Sequence, residues 1–380
     1  MSEKKRMAII AYLDYFSWSK GGMLNYVKNI LPYLEKHYEI DLWGCSVDNK
    51  KLNPVIINGK NYEVNIFGQA KTTRKIVPNY LRAIIGIWKN SNKIENQNYD
   101  MLYFHSAPLC LFYCLRATKR KSTIINHQHG LNLLQSSVNP FKLIQMAASK
   151  VSDINLITSD LISIKEWENQ CVIPSGKCIQ VLGQVDETVF FPENSYPDEK
   201  NEKFVTLGRI TEVKNPVRVL ECFAKYHNSF NKNSRLIFIG DGDQRTKLEK
   251  LVKKNKIEDY VEITGFISAE KVAEKLQNAK AMLMLSKSEG CSLAVAEAMA
   301  CGVPVIGFDV PGVRGQIKNG ETGRLLSYDS SEEEIAEAME YCVRNESALK
   351  EKSLQEAGKY YSSVVADGII QAIDGYKRER

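Results

Sequence analysis

Two glutamates that lie eight residues apart, Glu289 and Glu297, flank a predicted junction between a loop and a helix. Ser292 is a favourable N-cap residue, the segment 293–301 is rich in helix formers, and Gly302 ends the helix. The first predicted turn contains no acidic residue, so its free N–H groups and positive dipole end suit a diphosphate. A phosphate bound there would have one carboxylate on each side. A capped surface helix with two solvated glutamates fits the same spacing.

The elements that position these glutamates alternate regularly between short apolar segments and helical segments. This alternation predicts α/β domains in which parallel strands are covered by helices. Predicted strands lie near residues 7–13, 38–43, 101–105, 123–127, 154–158, 178–182, 204–208, 236–240, 261–265, 281–285 and 303–308. Predicted helices lie near residues 22–36, 80–93, 161–169, 216–230, 244–255, 269–277, 293–301 and 360–376.

The length of the chain and the position of its polar segments predict two domains. At 380 residues the chain is too long for one typical core. The boundary is expected near residues 183–186, ahead of a polar segment that contains Pro192 and Pro197. We therefore expect a first domain over residues 1–183 and a second over 184–360. Ligands in such folds bind at the carboxyl ends of the strands, in this case in a cleft between the sheets.

The composition is that of an ordinary soluble protein, with 44% hydrophobic and 25% charged residues. The N-terminal residues lead into an apolar strand without the features of a signal peptide, and no apolar run approaches the ~20 residues of a spanning helix. Nine cysteines are scattered without a Cys-x-x-Cys pair, so neither a zinc knuckle nor a disulfide framework is indicated. We expect a cytoplasmic protein with buried, reduced thiols.

The net charge of +6 is divided unevenly along the chain. Residues 1–183 contain 23 Lys and Arg against 13 Asp and Glu, whereas residues 184–380 contain 28 against 32. The basic clusters are residues 71–75, 81–89 and 119–121. The segment 81–89 could form a helix that lies on an anionic membrane surface, or its isoleucines and Trp88 could face the domain core. Nucleic acid is not an expected partner, because no helix-turn-helix, zinc-finger or stacking-aromatic motif accompanies the charge.

The segment 289–297 resembles the E-x7-E signature of retaining glycosyltransferases of family four, which have the GT-B fold of two facing Rossmann-like domains. Three further segments resemble motifs of that family and occur in the same order. They are the Gly-Arg…Lys segment (207–216), the Gly-x-Gly turn (239–242) and the Asn-Gly-x-Thr-Gly loop (320–323). The first half of the chain matches more loosely, through Gly21–Gly22 and His129–Gly130. The resemblance also implies that the last helix, residues 361–380, packs back on the first domain.

The resemblance implies a donor site in the second domain. Arg209 and Lys214 correspond to residues that contact the diphosphate oxygens, and the backbone N–H groups at Ser292–Leu293 are expected to bind the same group. Glu297 corresponds to the carboxylate that accepts from the ribose hydroxyls. Glu289 corresponds to the glutamate that meets the hydroxyls of the donor sugar, in a positioning and electrostatic role.

On the acceptor side, Gly21 and Gly22 let the backbone approach the donor phosphate, although a plain tight turn is the alternative. His129 is expected to contact the transferred sugar, and a core histidine is the alternative for this residue. His127 and His129 form a His-x-His pair that could bind zinc, but no third ligand is indicated nearby. Family-four enzymes do not need a metal. Asp14 is a candidate for contact with acceptor hydroxyls.

Three further positions bear on the donor site. Gly240, in the Gly-x-Gly turn, is expected to lie at the donor. Gly315 stands where the family often has a glutamate, which affects contacts to the donor sugar. Cys291 replaces the usual aromatic residue, and a small buried thiol can take over its packing role. Activity is therefore expected despite these differences.

These observations predict a retaining glycosyltransferase that moves a hexose from a nucleotide sugar, a UDP-sugar in the first place, onto a saccharide acceptor. The basic first domain points to a lipid-linked acceptor at the inner face of the cytoplasmic membrane, as in the assembly of bacterial surface polysaccharide. No cofactor and no metal are expected. The alternatives are a GDP-mannose-dependent mannosyltransferase, a GT-B epimerase or phosphorylase, and a non-catalytic scaffold that binds nucleotide sugars.

Overall fold

The chain forms two compact units in this computed structural model, one of residues 1–182 with 363–380 and the other of residues 183–362. The structure describes residues 4–13, 15, 22–47, 54–57, 59–70, 78–118, 121–130, 140–159, 161–174, 176–193, 202–310 and 312–376. Asp14 and Gly21, which the sequence singles out, lie outside the described residues. The same is true of the basic residues 71–75 and 119–120.

The first unit contains a seven-stranded parallel sheet and a separate antiparallel hairpin. Its strands are β1 (Lys5–Ile10), β2 (Tyr38–Val47), β3 (Val55–Ile57), β4 (Lys60–Tyr62), β5 (Val64–Ala70), β6 (Met101–Phe104), β7 (Thr123–Gln128), β8 (Ile154–Ile157) and β9 (Cys178–Gln180). The order in the sheet is β5-β2-β1-β6-β7-β8-β9. The strand order therefore reverses between β1 and β6, and ligands bind beyond the carboxyl ends of strands at such a position.

Helices cover both faces of this sheet. They are α1 (Gly22–His37), α2 (Asn79–Glu95), α3 (Ala107–Arg116), α4 (Pro140–Val151) and α5 (Leu161–Cys171). Alternate residues of β1 enter different cores, with Met7 and Ile9 on one side and Ala8 and Ile10 on the other. A parallel strand that is buried on both faces accounts for the continuous apolar run in the sequence.

The second unit contains a six-stranded sheet in which all neighbouring strands are parallel. Its strands are β10 (Lys203–Leu207), β11 (Arg235–Ile239), β12 (Val261–Ile263), β13 (Ala281–Met284), β14 (Val305–Phe308) and β15 (Gly323–Leu326). The order is β12-β11-β10-β13-β14-β15, which is the 3-2-1-4-5-6 order of nucleotide-binding Rossmann sheets. The reversal falls between β10 and β13.

The helices of the second unit follow its strands in the same alternation. They are α6 (Pro216–Ser229), α7 (Arg245–Lys254), α8 (Ala269–Gln277), α9 (Leu293–Ala300), α10 (Glu332–Arg344) and α11 (Glu346–Ala357). The last helix, α12 (Ser362–Gly375), packs in the first unit. Its residues Val365, Ile369 and Ile373 lie in the same core as Met7 and Ile9 of β1.

The structure confirms the α/β class and contains every predicted strand and helix, with ends that differ by a few residues. The sequence prediction missed β3, β4, β5, β15, α3, α4, α10 and α11. Helix α3 lacks a polar face, since seven of its ten residues are buried, so it shows little helical periodicity. Helix α10 could have been found, because Ser331 and Glu334 form a capping box. Within the described ranges, no helix is long and apolar enough to cross a bilayer.

Candidate functional site

Three of the predicted site residues meet at one edge of the second sheet. Arg209 lies two residues after β10, Lys214 belongs to a 3-10 turn just beyond it, and Glu289 lies in the loop between β13 and α9. These loops follow the two strands between which the strand order reverses, where Rossmann sheets bind ligands. The Arg209 side chain is exposed, and in the part of the chain that the structure describes it has no ion-pair partner.

An ion pair joins the two loops, with Lys214 Nζ 2.6 Å from Glu289 Oε1. The side chains of Lys214 and Glu289 are 25% and 12% exposed, so the pair is shielded but can still be reached by a ligand. A second ion pair connects Glu212 with Lys287, and the Lys287 N–H donates to the Val213 carbonyl at 2.8 Å. These contacts hold Glu289 beside Lys214.

The N-terminus of α9 is held by a side chain from a distant loop. Ser292 occupies the N-cap position as predicted, but its hydroxyl makes no capping hydrogen bond. Gln316 binds the Ser292 backbone instead. The Ser292 N–H donates to Gln316 Oε1 at 2.9 Å, and Gln316 Nε2 donates to the Ser292 carbonyl at 3.0 Å. Because the hydroxyl does not cap the helix, the first-turn N–H groups of residues 293–295 donate to no other described residue.

Glu297 is the fifth residue of α9, about one turn inside the helix as predicted. Burial raises the pKa of Glu297 to about 7, and the positive charge of Lys214 acts in the opposite direction. Its carboxylate forms no ion pair within the described ranges. A ligand that donates hydrogen bonds to this carboxylate would favour its ionised form.

Two glycines allow close backbone contacts at this edge. Gly240, with φ at +140°, lies so close to Gly208 that a Cβ would sit 2.0 Å from the Gly208 carbonyl oxygen. Gly312, with φ at +79°, lies against the loop that carries Glu289, and a Cβ there would sit 2.4 Å from the Glu289 carbonyl oxygen. Only glycine fits such positions, so both are needed to shape the edge.

Cys291 is half-buried rather than fully buried, which corrects the sequence expectation. The other eight cysteines are buried, as predicted. Gly22 is the first residue of α1, so the predicted glycine-rich turn ends there. Leu293, the first residue of α9, is partly exposed.

The first unit brings three histidines together at the carboxyl ends of β6 and β7, with His127 near the end of β7 and His105 and His129 just beyond the two strands. His105 Nδ1 lies 2.9 Å from His129 Nε2. His127 Nδ1 lies 2.8 Å from the Tyr103 hydroxyl, and His127 Nε2 lies 2.9 Å from Thr158 Oγ1. The sequence indicated no third histidine near the His-x-His pair, and His105 was missed because it is 22 residues from His127 along the chain.

Burial lowers the pKa of all three imidazoles below the ordinary value. For His129 the pKa falls to about 4. The neighbouring imidazoles add to the effect at His105 and His127, because like charges would repel. All three rings are therefore neutral at pH 7.

The two α/β units are similar in fold to solved glycosyltransferases of the GT-B class. Residues 189–361 match the family model described as Glycosyl transferases group 1. Over 247 residues the chain is 29% identical to N-acetyl-alpha-D-glucosaminyl L-malate synthase of Bacillus anthracis. The alignment covers 62% of this chain and 64% of that protein. The aligned part is thus just under two thirds of that relative. The matched segment, a little under half of this chain, is thus similar to the group 1 glycosyltransferases.

Other similar proteins are glycosyltransferases as well. An uncharacterized glycosyltransferase of Methanocaldococcus jannaschii is 25% identical over 90% of both chains. The amylovoran biosynthesis glycosyltransferase AmsD of Erwinia amylovora is 27% identical over 42% of this chain and 44% of its own length. The structure of HepE from Anabaena, in complex with UDP and glucose, has a TM-score of 0.76 at 13% identity and covers 97% of this chain and all of that chain.

Proposed function

We propose that the protein transfers a hexose from a UDP-sugar to a saccharide acceptor with retention of anomeric configuration. The observation that carries the proposal is the edge at β10 and β13. There Arg209, Lys214 and the open N-terminus of α9 supply positive potential, and Glu289 and Glu297 lie beside them. This arrangement suits a diphosphate with a sugar on one side and a ribose on the other. UDP is the first choice because the similar HepE structure contains it.

Each charged group has a separate task in the proposed reaction. The bond between the anomeric carbon and the diphosphate oxygen breaks, and its electron pair leaves with UDP. Arg209, Lys214 and the first-turn N–H groups of α9 stabilise the departing diphosphate without reorganising. The acceptor hydroxyl oxygen bonds to the anomeric carbon from the same face, and its proton passes to the leaving phosphate oxygen. Glu289 orients the sugar and offsets the positive charge that develops on it.

The experiment that tests the proposal is a donor panel with product analysis. The protein is incubated with UDP-glucose, UDP-galactose, UDP-N-acetylglucosamine and GDP-mannose, and released nucleotide is measured with and without saccharide acceptors. Proton NMR of the transfer product then gives the configuration of the new glycosidic bond, which does not mutarotate. UDP release with an α-configured product supports the proposal. Release of GDP alone favours the mannosyltransferase, and an inverted product excludes the retaining mechanism.

We propose further that the reaction needs no metal. The two cations and the helix N-terminus can balance the diphosphate charge at this edge. Turnover should therefore be unchanged by EDTA, and a loss that magnesium or manganese restores would contradict this part of the proposal.

Ionisation of Glu297 should control nucleotide affinity near neutral pH. The carboxylate accepts strong, charge-assisted hydrogen bonds from the ribose hydroxyls when it is ionised, and protonation weakens them. Its pKa of about 7 leaves it largely protonated below that pH. UDP affinity should therefore rise as the pH increases from about 6 to 8, by up to about tenfold per unit below the pKa. Titration calorimetry measures this change. Because the terminal phosphate also titrates near pH 6, Glu297→Gln is the control. This variant should bind UDP more weakly than the wild type, and the pH dependence of its affinity should reflect only the titration of the phosphate. The same pH dependence in the variant and the wild type would contradict the assignment of Glu297.

A surface of the first unit supports the proposal of a lipid-linked acceptor at the inner face of the cytoplasmic membrane. The sequence left open whether the apolar residues of segment 81–89 face the core or a membrane. In the structure Ile84 and Ile87 are buried, whereas Leu81, Ile85 and Trp88 are 39–49% exposed. We call these three residues the outer face of α2. Basic residues flank it, Lys89 on α2 and Arg116 on α3, and the exposed Leu115 on α3 and Phe141 on α4 lie on neighbouring helices.

The outer face of α2 should bind anionic vesicles. Removing two of its large side chains in Ile85→Ser/Trp88→Ser should weaken sedimentation with phosphatidylglycerol vesicles at least about tenfold, because each buried side chain contributes about 1.5–3 kcal/mol. Added salt should weaken wild-type binding as it screens the basic residues. Phe266→Ser, at a still more exposed residue of the second unit, is the control. Equal binding to neutral vesicles, or by the double variant, would contradict the membrane proposal.

A further inference from the structure

We propose that His105 is a positioning residue that fixes the tautomer of His129, so that His129 presents an N–H donor to the substrate. The proposal rests on the proposed function, in which His129 contacts the transferred sugar. It assigns a role to a residue that the sequence motifs do not include. The relevant geometry lies wholly in the first unit, beyond the carboxyl ends of β6 and β7.

The His105 and His129 rings meet end to end. Their planes differ by 16° and their centroids are 5.2 Å apart. Two imidazoles that share one in-plane N–H···N bond of 2.9 Å have this separation, whereas rings stacked face to face would be closer. One of the two nitrogens, His105 Nδ1 or His129 Nε2, must therefore carry the shared hydrogen, and the other must accept it.

The environment of His105 Nε2, the ring nitrogen that does not bond to His129, decides which nitrogen carries the shared hydrogen. His105 is 1% exposed, and its Nε2 has no partner among the described residues. Buried N–H groups without an acceptor are rarer in proteins than buried acceptors without a donor. We therefore place the single N–H hydrogen of the neutral His105 on Nδ1 and none on Nε2. His105 then donates to His129 Nε2, and the neutral His129 must carry its own hydrogen on Nδ1.

The nitrogen that results is the one available to a ligand. His129 is the least buried of the three histidines, and no described residue bonds to its Nδ1. A ligand oxygen that reaches this side would meet a donor. The opposite tautomer would present a lone pair there. It could not form a hydrogen bond to a ligand oxygen that carries no hydrogen.

The neighbours of the pair hold both rings in place. Tyr26 contacts all three histidines, with ring centroids 4.7 Å away for His129 and 5.0 Å for His127. His127 has a partner at each ring nitrogen, Tyr103 and Thr158, so it is satisfied without donating to His129. Burial among these groups disfavours the imidazolium and keeps His129 neutral.

A metal ion is the competing occupant, because the three histidines offer ligand atoms that all lie within 4.8 Å of one another. The observed directions do not suit it. The bonding nitrogens of His105 and His129 point at each other, and both nitrogens of His127 bond to hydroxyl groups. A shared metal would require each histidine to turn one free lone pair toward a common point.

Nitrogen NMR of the imidazoles tests the tautomer directly and does not depend on activity. The chain has five histidines, so the spectrum of protein labelled with ¹⁵N-histidine can be assigned by single substitutions. We expect His129 to show a protonated Nδ1 and an unprotonated Nε2 near neutral pH. The reverse tautomer, an imidazolium, or a zinc-dependent spectrum in protein that retains stoichiometric zinc would each overturn the proposal.

Two variants then test the positioning role. His105→Asn keeps an N–H near the position of Nδ1, whereas His105→Leu removes the donor. In the leucine variant we expect mixed His129 tautomers and a fall in kcat of about 10- to 100-fold, the usual effect of losing a group that orients a functional histidine. UDP affinity should not change. The asparagine variant should recover most of the turnover, and His37→Asn, on α1, is the control.

The outcomes separate this proposal from the proposed function. If the wild-type tautomer is as expected but His105→Leu keeps full turnover, the positioning role is wrong while transferase activity stands. If no donor is turned over by the wild type, the proposed function fails and the substrate role of His129 fails with it. Should His105→Leu not fold, the wild-type spectrum and His105→Asn still decide the tautomer.

Discussion

Replacing Glu289 by glutamine is expected to lower turnover at least about 100-fold and to leave UDP binding nearly unchanged. Glu289 lies in the loop after β13 with its carboxylate 2.6 Å from Lys214 Nζ, and its side chain is 12% exposed. The carboxylate can therefore act on charge that develops at the sugar, where removal of one fixed polar group costs about 10²–10³ in kcat. Glutamine keeps the shape but loses the charge. Initial rates and calorimetric titration with UDP measure the two effects.

A second acid–lysine pair of the same unit serves as the control. Glu262 and Lys275 form an exposed ion pair on β12 and α8, at 2.9 Å. Glu262→Gln should leave both turnover and UDP affinity unchanged, since exposed pairs contribute about 1 kcal/mol or less. Transfer at the wild-type rate by Glu289→Gln would show that this edge is not the catalytic site. Equal losses of turnover and UDP affinity would instead make Glu289 a nucleotide-binding residue.

Removing the cations at the same edge should weaken both nucleotide binding and turnover. Arg209→Ala is expected to raise the Kd for UDP about 10- to 100-fold, because a hydrogen bond to a charged group contributes about 1.5–3 kcal/mol. Lys214→Ala should have a larger effect on kcat, since it also leaves the Glu289 carboxylate without its partner. Calorimetry with UDP and with uridine separates contacts to phosphate from contacts to the nucleoside.

Arg235 provides the matched control for this prediction. It is exposed and starts β11, at the opposite end of the same sheet from Arg209. Arg235→Ala should bind UDP as the wild type does. If Arg209→Ala and Lys214→Ala also keep wild-type affinity for UDP, the diphosphate assignment is wrong.

The parts of this structure that rest on local patterns could be predicted from sequence. Apolar strands and helical segments alternate strongly enough to give the α/β class and nearly all central strands. The helix that starts after Ser292 and the glycine turn at Gly240 were found for the same reason. In each case residues close in sequence determine the local backbone.

The contacts that join distant segments could not be predicted in this way. Gln316 holds Ser292 from 24 residues away, and Lys214 meets Glu289 across 75 residues. His105 reaches His129 only because β6 and β7 are neighbours in the sheet. The order of the strands in each sheet brings these groups together. The hydrophobic periodicity of a single sequence does not reveal that order. The buried helix α3 was missed because it has no polar face to give a periodic signal.

Thermal unfolding with a panel of UDP, GDP, ADP and dTDP is the most direct test of the central claim, that the edge at β10 and β13 is a UDP-sugar site. UDP at about 100 times its Kd stabilises the native state by about 2.7 kcal/mol, which should raise the Tm of the second unit by about 5 °C or more. We predict a selective shift with UDP in the wild type and its loss in the Arg209→Ala/Lys214→Ala variant. No shift with any nucleotide, or an equal UDP shift in that variant, would contradict the claim.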